Sequence, residues 1–136
     1  MPTLPAAPLP AALELVRCES AGLCCAFEAA KVSALHAVSL APNAPHLTEL
    51  LQQSALPEAA AQRLLELSLP HGQRRLVRVG EPVIHFSLPT HAIQPLPPLL
   101  AVRLRPNGVR ALAWIENAGH EQLVIILDAG RLIAGS

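Results

Sequence analysis

Two stretches sixty-one residues apart repeat one pattern, and this constrains the chain more than any single motif. Leu23-Cys24-Cys25-Ala26-Phe27, a short turn, then Val32 and Leu35 returns as Ile84-His85-Phe86-Ser87-Leu88, a short turn, then Ile93 and Leu96. Each copy reads as strand, bend, strand, so the expected body is a mainly β domain built from two matching halves. A chain of 136 residues that is 51% apolar suits one such domain and leaves no room for a second full core. We place that domain at residues 11–136, behind a Pro/Ala-rich arm at residues 1–10 punctuated by Pro2, Pro5, Pro8 and Pro10.

The remaining segments fill in around the repeat. Leu13 to Cys18 reads as a strand, turns through Glu19-Ser20-Ala21-Gly22 and returns along Leu23 to Phe27 as a hairpin. Glu28 to Lys31 is long enough for one helical turn, and Val32 to Val38 is a partly alternating strand. Between Pro45 and Pro70 the leucines fall at helical spacing among Glu, Gln and Ala. This predicts two short helices, one from His46 to Ala55 and one starting at Pro57 and stopping before Pro70. Their Leu47, Leu50 and Leu51 either cover core or present a stripe to a partner. Strands resume at Arg75 to Val79, a tight Gly80-Glu81-Pro82 turn, and Val83 to Leu88. Pro95, Pro97 and Pro98 confine Gln94 to Leu99 to a connector or an edge. Val109 to Ile115 and Gln122 to Asp128 form a last hairpin through Asn117-Ala118-Gly119. Leu123 to Leu127 is apolar on both faces and is expected to be the most buried strand, with Asp128 capping a closing helical turn through Leu132 and Ile133.

Charge and cysteine usage then exclude functions. Ten basic and ten acidic side chains cancel, which removes the footprint of a nucleic-acid or anionic-membrane binder. Arg74, Arg75 and Arg78 are the one tight basic group, read as a solvated strand start rather than a phosphate site. No apolar run approaches the ~20 residues that cross a bilayer, so no membrane insertion is expected and the expected address is cytoplasmic. Cys18, Cys24 and Cys25 read as small core residues in a reducing compartment, and the six histidines lack metal-ligand spacing. We therefore assign no catalytic residue, no metal and no cofactor. A Cys25–His85 thiol–imidazole pair has no orienting third group, and a lone Trp such as Trp114 is usually a core anchor.

With the segments in place, the sequence resembles a divergent CheW-like domain, the adaptor module that couples bacterial chemoreceptors to their histidine kinase. Three blocks carry the likeness. Phe27-Glu28-Ala29-Ala30-Lys31-Val32-Ser33-Ala34-Leu35 is similar to the family's strand end, bend and Lys-Val-x-x-apolar strand. Leu40-Ala41-Pro42-Asn43-Ala44-Pro45 resembles its proline-bearing exit loop, and Leu112 to Ile133 resembles its closing hairpin and Asp-x-x-x-Leu-apolar ending. The family's Asn-Leu-Arg-Gly turn is not found after Pro45, nor is the acidic residue that faces its arginine, which falls at Ala34. The resemblance thus implies two pseudo-duplicated small β-barrel subdomains, the first incomplete, with two short helices between them. It also implies an enzymatically inactive scaffold in a chemotaxis-like signalling or motility assembly, with a histidine kinase, chemoreceptor or other signalling protein as partner. Lys31, Val32 and Leu35 border the family's groove between the halves, and together with Leu47, Leu50 and Leu51 they are the expected contact residues. The alternative reading is a β-barrel that encloses a small molecule.

Overall fold

The computed structural model describes residues 11–20, 22–51, 61–104 and 108–134. The arm at residues 1–10 lies outside these. Eight strands form one mixed sheet: β1 (Ala12–Ser20), β2 (Leu23–Glu28), β3 (Val32–Ala37), β4 (Gln62–Ser68), β5 (Arg74–Pro89), β6 (Ile93–Pro95), β7 (Val109–Asn117) and β8 (His120–Leu127). Three short helices accompany them: α1 (Leu47–Leu50), α2 (Pro98–Leu104) and α3 (Ala129–Ala134). The sheet order is β3-β4-β5-β1-β2-β8-β7-β6.

The sixty-one-residue repeat is a structural repeat. β2 runs through Glu28 (φ −57°, ψ 131°) into a 3-10 turn at Ala29–Lys31 and on to β3. The end of β5 runs through Pro89 (φ −58°, ψ 133°) into a 3-10 turn at Thr90–Ala92 and on to β6. Extending the equivalence matches β4 with β7 and the start of β5 with β8; with the two halves of β5 counted separately, the sheet order reads the same from either end, with β1 in the middle. Strand directions are kept by this match, while Phe27 and its counterpart Leu88 enter different cores. The relation therefore turns the sheet over about the direction of β1.

Two cores result, one on each face of the central strands. Successive side chains of a strand point to opposite faces, so Cys25 and Phe27 enter the first core and Cys24 and Ala26 the second. The first core is closed by Leu65 and Leu67 of β4, Val77 and Val79 of β5, Leu47 of α1 and Leu132 of α3. The second is built from Leu15, Leu88, Ala111, Ala113, Val124 and Ile126. This double duty makes β2 the most buried strand, with Cys24 to Phe27 all buried. The expectation for Leu123 to Leu127 is corrected: β8 is central only toward its end, and Leu123 and Ile125 stay partly open as the hairpin runs out of the sheet body.

Two further expectations are corrected. The second helix, from Pro57, is instead strand β4 from Gln62 onward, its earlier residues lying outside the described ones. Leu64, Leu65 and Leu67 looked helical because β4 sits between β3 and β5 and is buried on both faces, which erases the two-residue alternation. The first half accordingly keeps the strand between β3 and β5 that the resemblance had led us to expect missing. The described part of the first helix is the single turn α1. Nor does Gly80-Glu81-Pro82 reverse the chain. Gly80 pairs with Gln62 of β4 and with Glu19 of β1, and the strand continues through a bulge to pair Ile84 to Pro89 with β1.

The closing hairpin follows expectation. Ala118 (φ 53°) and Gly119 (φ 81°) join Asn117 to His120, the two-residue geometry whose twist suits antiparallel strands. At the end of β8, Asp128 Oδ1 accepts the Arg131 N–H at 3.2 Å, capping α3. We expect Asp128→Ala to lower unfolding free energy by about 1 kcal/mol, read from the urea midpoint. No change there would mean that α3 is held by Leu132 and Ile133 alone.

Candidate functional site

Three adjoining depressions meet at Asp128 and follow the junction of the two halves around the start of α3. One, of about 390 Å³, lies between Ile93, Pro95, Val109 and Ala111 with Arg110 and Arg131 at its rim. A smaller one is lined by Glu28, Lys31, Ser68, Pro70 and Arg110. The third, of about 460 Å³, runs along Leu69, Pro70, His71 and Ile133. Arg110 of β7 forms an ion pair with Glu28 of β2 across this junction. Lys31 is exposed just beyond it, and Arg131 is exposed on α3. The groove thus has an apolar floor, three cationic side chains on its rim, and two carboxylates, of which Glu28 is engaged by Arg110 and Asp128 by the α3 backbone.

The six expected contact residues separate. Lys31 lines the groove. Val32 is partly buried against the first core, and Leu35 is 39% exposed on β3, an outer strand of the sheet. Leu47 is 1% exposed inside the first core, and Leu50 and Leu51 pack against it. The leucine stripe of α1 therefore covers core, because one helical turn has too few residues to bury one face and offer another, and Leu47 is removed from the contact surface. Arg110 and Arg131 were missed. The available signal was Arg110 itself, a lone cation inside the apolar run Val109 to Ile115.

Other expectations also change. Trp114 is 50% exposed rather than a core anchor. β6 covers only Ala111 to Ala113 of β7, so Trp114 lies beyond its end with Leu123 of β8 as its pair. Arg74 pairs with Glu66, while Arg78 donates to the Pro42 carbonyl and to His46 Nε2 at 3.1 Å, fastening the loop before α1. Those arginines are structural ties. Cys25 does not meet His85, which is exposed and lies 3.1 Å from Glu14. Burial pushes the Cys25 thiol up to about 12, with Cys24 and Glu19 adding in the same direction, and burial likewise holds Cys18 well above its usual value. Thiolate is therefore scarce at neutral pH. We expect the folded chain to resist iodoacetamide at pH 7, with three alkylations appearing by mass spectrometry only in denaturant. Rapid labelling of the native chain at Cys25 would contradict this burial.

The apolar strands pack their side chains against one another in the two cores, and the open depressions lie at the junction of the two halves. The chain has the CheW-like fold. The crystal structure of the scaffolding protein TtCheW from Thermoanaerobacter tengcongensis is similar with a TM-score of 0.69 and 13% sequence identity, over 96% of this chain and 93% of that one. No protein-family model and no curated protein matches the sequence. No helix among the described residues is long and apolar enough to cross a membrane.

Proposed function

We propose that this chain is a non-catalytic adaptor in a bacterial chemotaxis-like signalling or motility assembly, working in the cytoplasm and binding a histidine kinase, a chemoreceptor or another signalling protein. The observation that carries the reading is the two-core fold shared over nearly the whole chain with a protein described as a scaffold. The groove supports it: an apolar floor with a cationic rim suits a protein segment that carries apolar side chains and carboxylates. Three free, buried cysteines suit a reducing compartment.

The test is titration calorimetry of the purified chain against the histidine kinase and the receptor signalling domain of the same organism. Binding to at least one is expected, weakened about tenfold or more by Lys31→Glu combined with Arg131→Glu, a change of about 1.4 kcal/mol. A folded chain that bound neither protein would end the adaptor reading. Binding unaffected by the double substitution would move the contact away from the groove.

A further inference from the structure

We infer that the free edge of β3 pairs with the same strand of a second copy of this chain, joining two sheets about a two-fold axis. The inference goes beyond the adaptor reading and does not rest on it.

The two ends of the sheet differ. β6 closes one end, and its edge is blunted by Pro95 inside the strand and by Pro97 and Pro98 after it, which removes backbone donors. Among the described residues β3 closes the other end and pairs with β4 alone. It contains no proline and no Lys, Arg, Asp or Glu along Val32–Ala37, the devices that usually protect an edge, and its one titratable side chain, His36, lies 3.5 Å from Glu66 of β4. The bulge in its ladder with β4 is confined to Val32–Ala34, leaving Leu35 to Ala37 in regular register. Ser33 Oγ donates to Glu66 Oε2 at 2.7 Å, and Arg74 Nη1 lies 3.3 Å from the same oxygen, so the strand is held in place from its paired side. An edge that is ordered and apolar is a template for another strand.

The sequence of β3 accepts its own copy. Antiparallel pairing centred on Leu35 sets Leu35 opposite Leu35 of the second copy, Ala34 opposite His36 and Ser33 opposite Ala37, all within the strand. No like charges meet, and Leu35, 39% exposed in one chain, gains an apolar cross-strand neighbour. Because only one end of the sheet is competent, the contact is isologous and stops at a dimer instead of growing into a filament.

Analytical ultracentrifugation of the whole chain tests this. The expected mass is twice the 14.4 kDa of one chain. Leu35→Lys sets two ammonium groups face to face and is expected to halve the sedimenting mass with the circular dichroism spectrum unchanged. Leu99→Lys, on α2 at the opposite end of the sheet where Leu99 is 86% exposed, is expected to keep the dimer. Should Leu35→Lys fold poorly, Leu35→Cys reads the register directly. Air oxidation is expected to convert it to a disulfide-linked dimer on a non-reducing gel, reversed by dithiothreitol, whereas Leu99→Cys stays monomeric there. A wild-type chain that sediments as a monomer at every concentration overturns the inference. So does a dimer that survives Leu35→Lys, a dimer lost through Leu99→Lys instead, or a Leu35→Cys chain that does not cross-link.

Discussion

Phe27→Ala is expected to cost about 3–5 kcal/mol of unfolding free energy, because the side chain is fully buried and the strands around it can collapse only partly onto the space it leaves. Phe27 lies opposite Val16 of β1 and beside Leu127 of β8, so its loss loosens the first core at the centre of the sheet. Domains of this kind hold about 5–15 kcal/mol in total, so the variant should lose a large share of its stability. Its counterpart in the second core, Leu88→Ala, should cost about 2–5 kcal/mol. The two residues belong to different cores, so their losses should add within about 0.5 kcal/mol. Urea titrations of the single and double variants measure all three quantities. A loss below about 1 kcal/mol for Phe27→Ala would show that the first core does not depend on that ring.

The second large effect comes from one backbone contact. Gly108 has a φ of +91°, and a Cβ built there would stand 2.9 Å from Leu132 Cβ, 3.0 Å from its Cα and 3.1 Å from its backbone nitrogen. Gly108 also accepts the Asp128 N–H at 2.7 Å, so the entry to β7 and the start of α3 are locked at this point. Gly108→Ala adds left-handed strain of about 1–2 kcal/mol to a clash worth about 1–3 kcal/mol, since backbone must move to relieve it. Gly119, at φ +81°, has open space around it, so Gly119→Ala should show the strain alone. The difference between their thermal midpoints isolates the close approach. Equal midpoints would mean that α3 does not press on Gly108.

Much of the β architecture was legible because its signals are local. The hairpin through Gly22, the bend after Phe27, the Ala118-Gly119 turn and the Asp128 cap each depend on residues a few positions apart, and the structure reproduces each of them. The repeat was legible for the same reason, since strand, bend and strand lie within thirteen residues in each copy, Leu23 to Leu35 and Ile84 to Leu96. β4 was not. Its leucines are buried on both faces of the sheet, and a doubly buried strand loses the alternation that separates it from a helix. The long β5 was split for a related reason. Glycine and proline together usually mark a reversal, and only the pairing of Gly80 with both β4 and β1 turns that signal into a bulge.

The groove was even less accessible. Lys31 was singled out through the CheW-like block around it, whereas Arg110 and Arg131 come from β7 and α3, far away in the chain. Which side chain of an apolar run faces solvent depends on what its neighbours cover, and Trp114 became exposed because β6 begins only at Ile93, opposite Ala113. Leu47 went the other way, into the first core, because α1 is a single turn with one face to spend.

The amino-acid order alone thus determined where the chain bends and which strands answer one another across the repeat. The tertiary structure decided which faces are covered, which strand lies outermost in the sheet and which cations gather at the junction. The division is physical: turn and cap preferences are energies of neighbouring residues, while burial and edge pairing are energies of surfaces that exist only after distant segments have met.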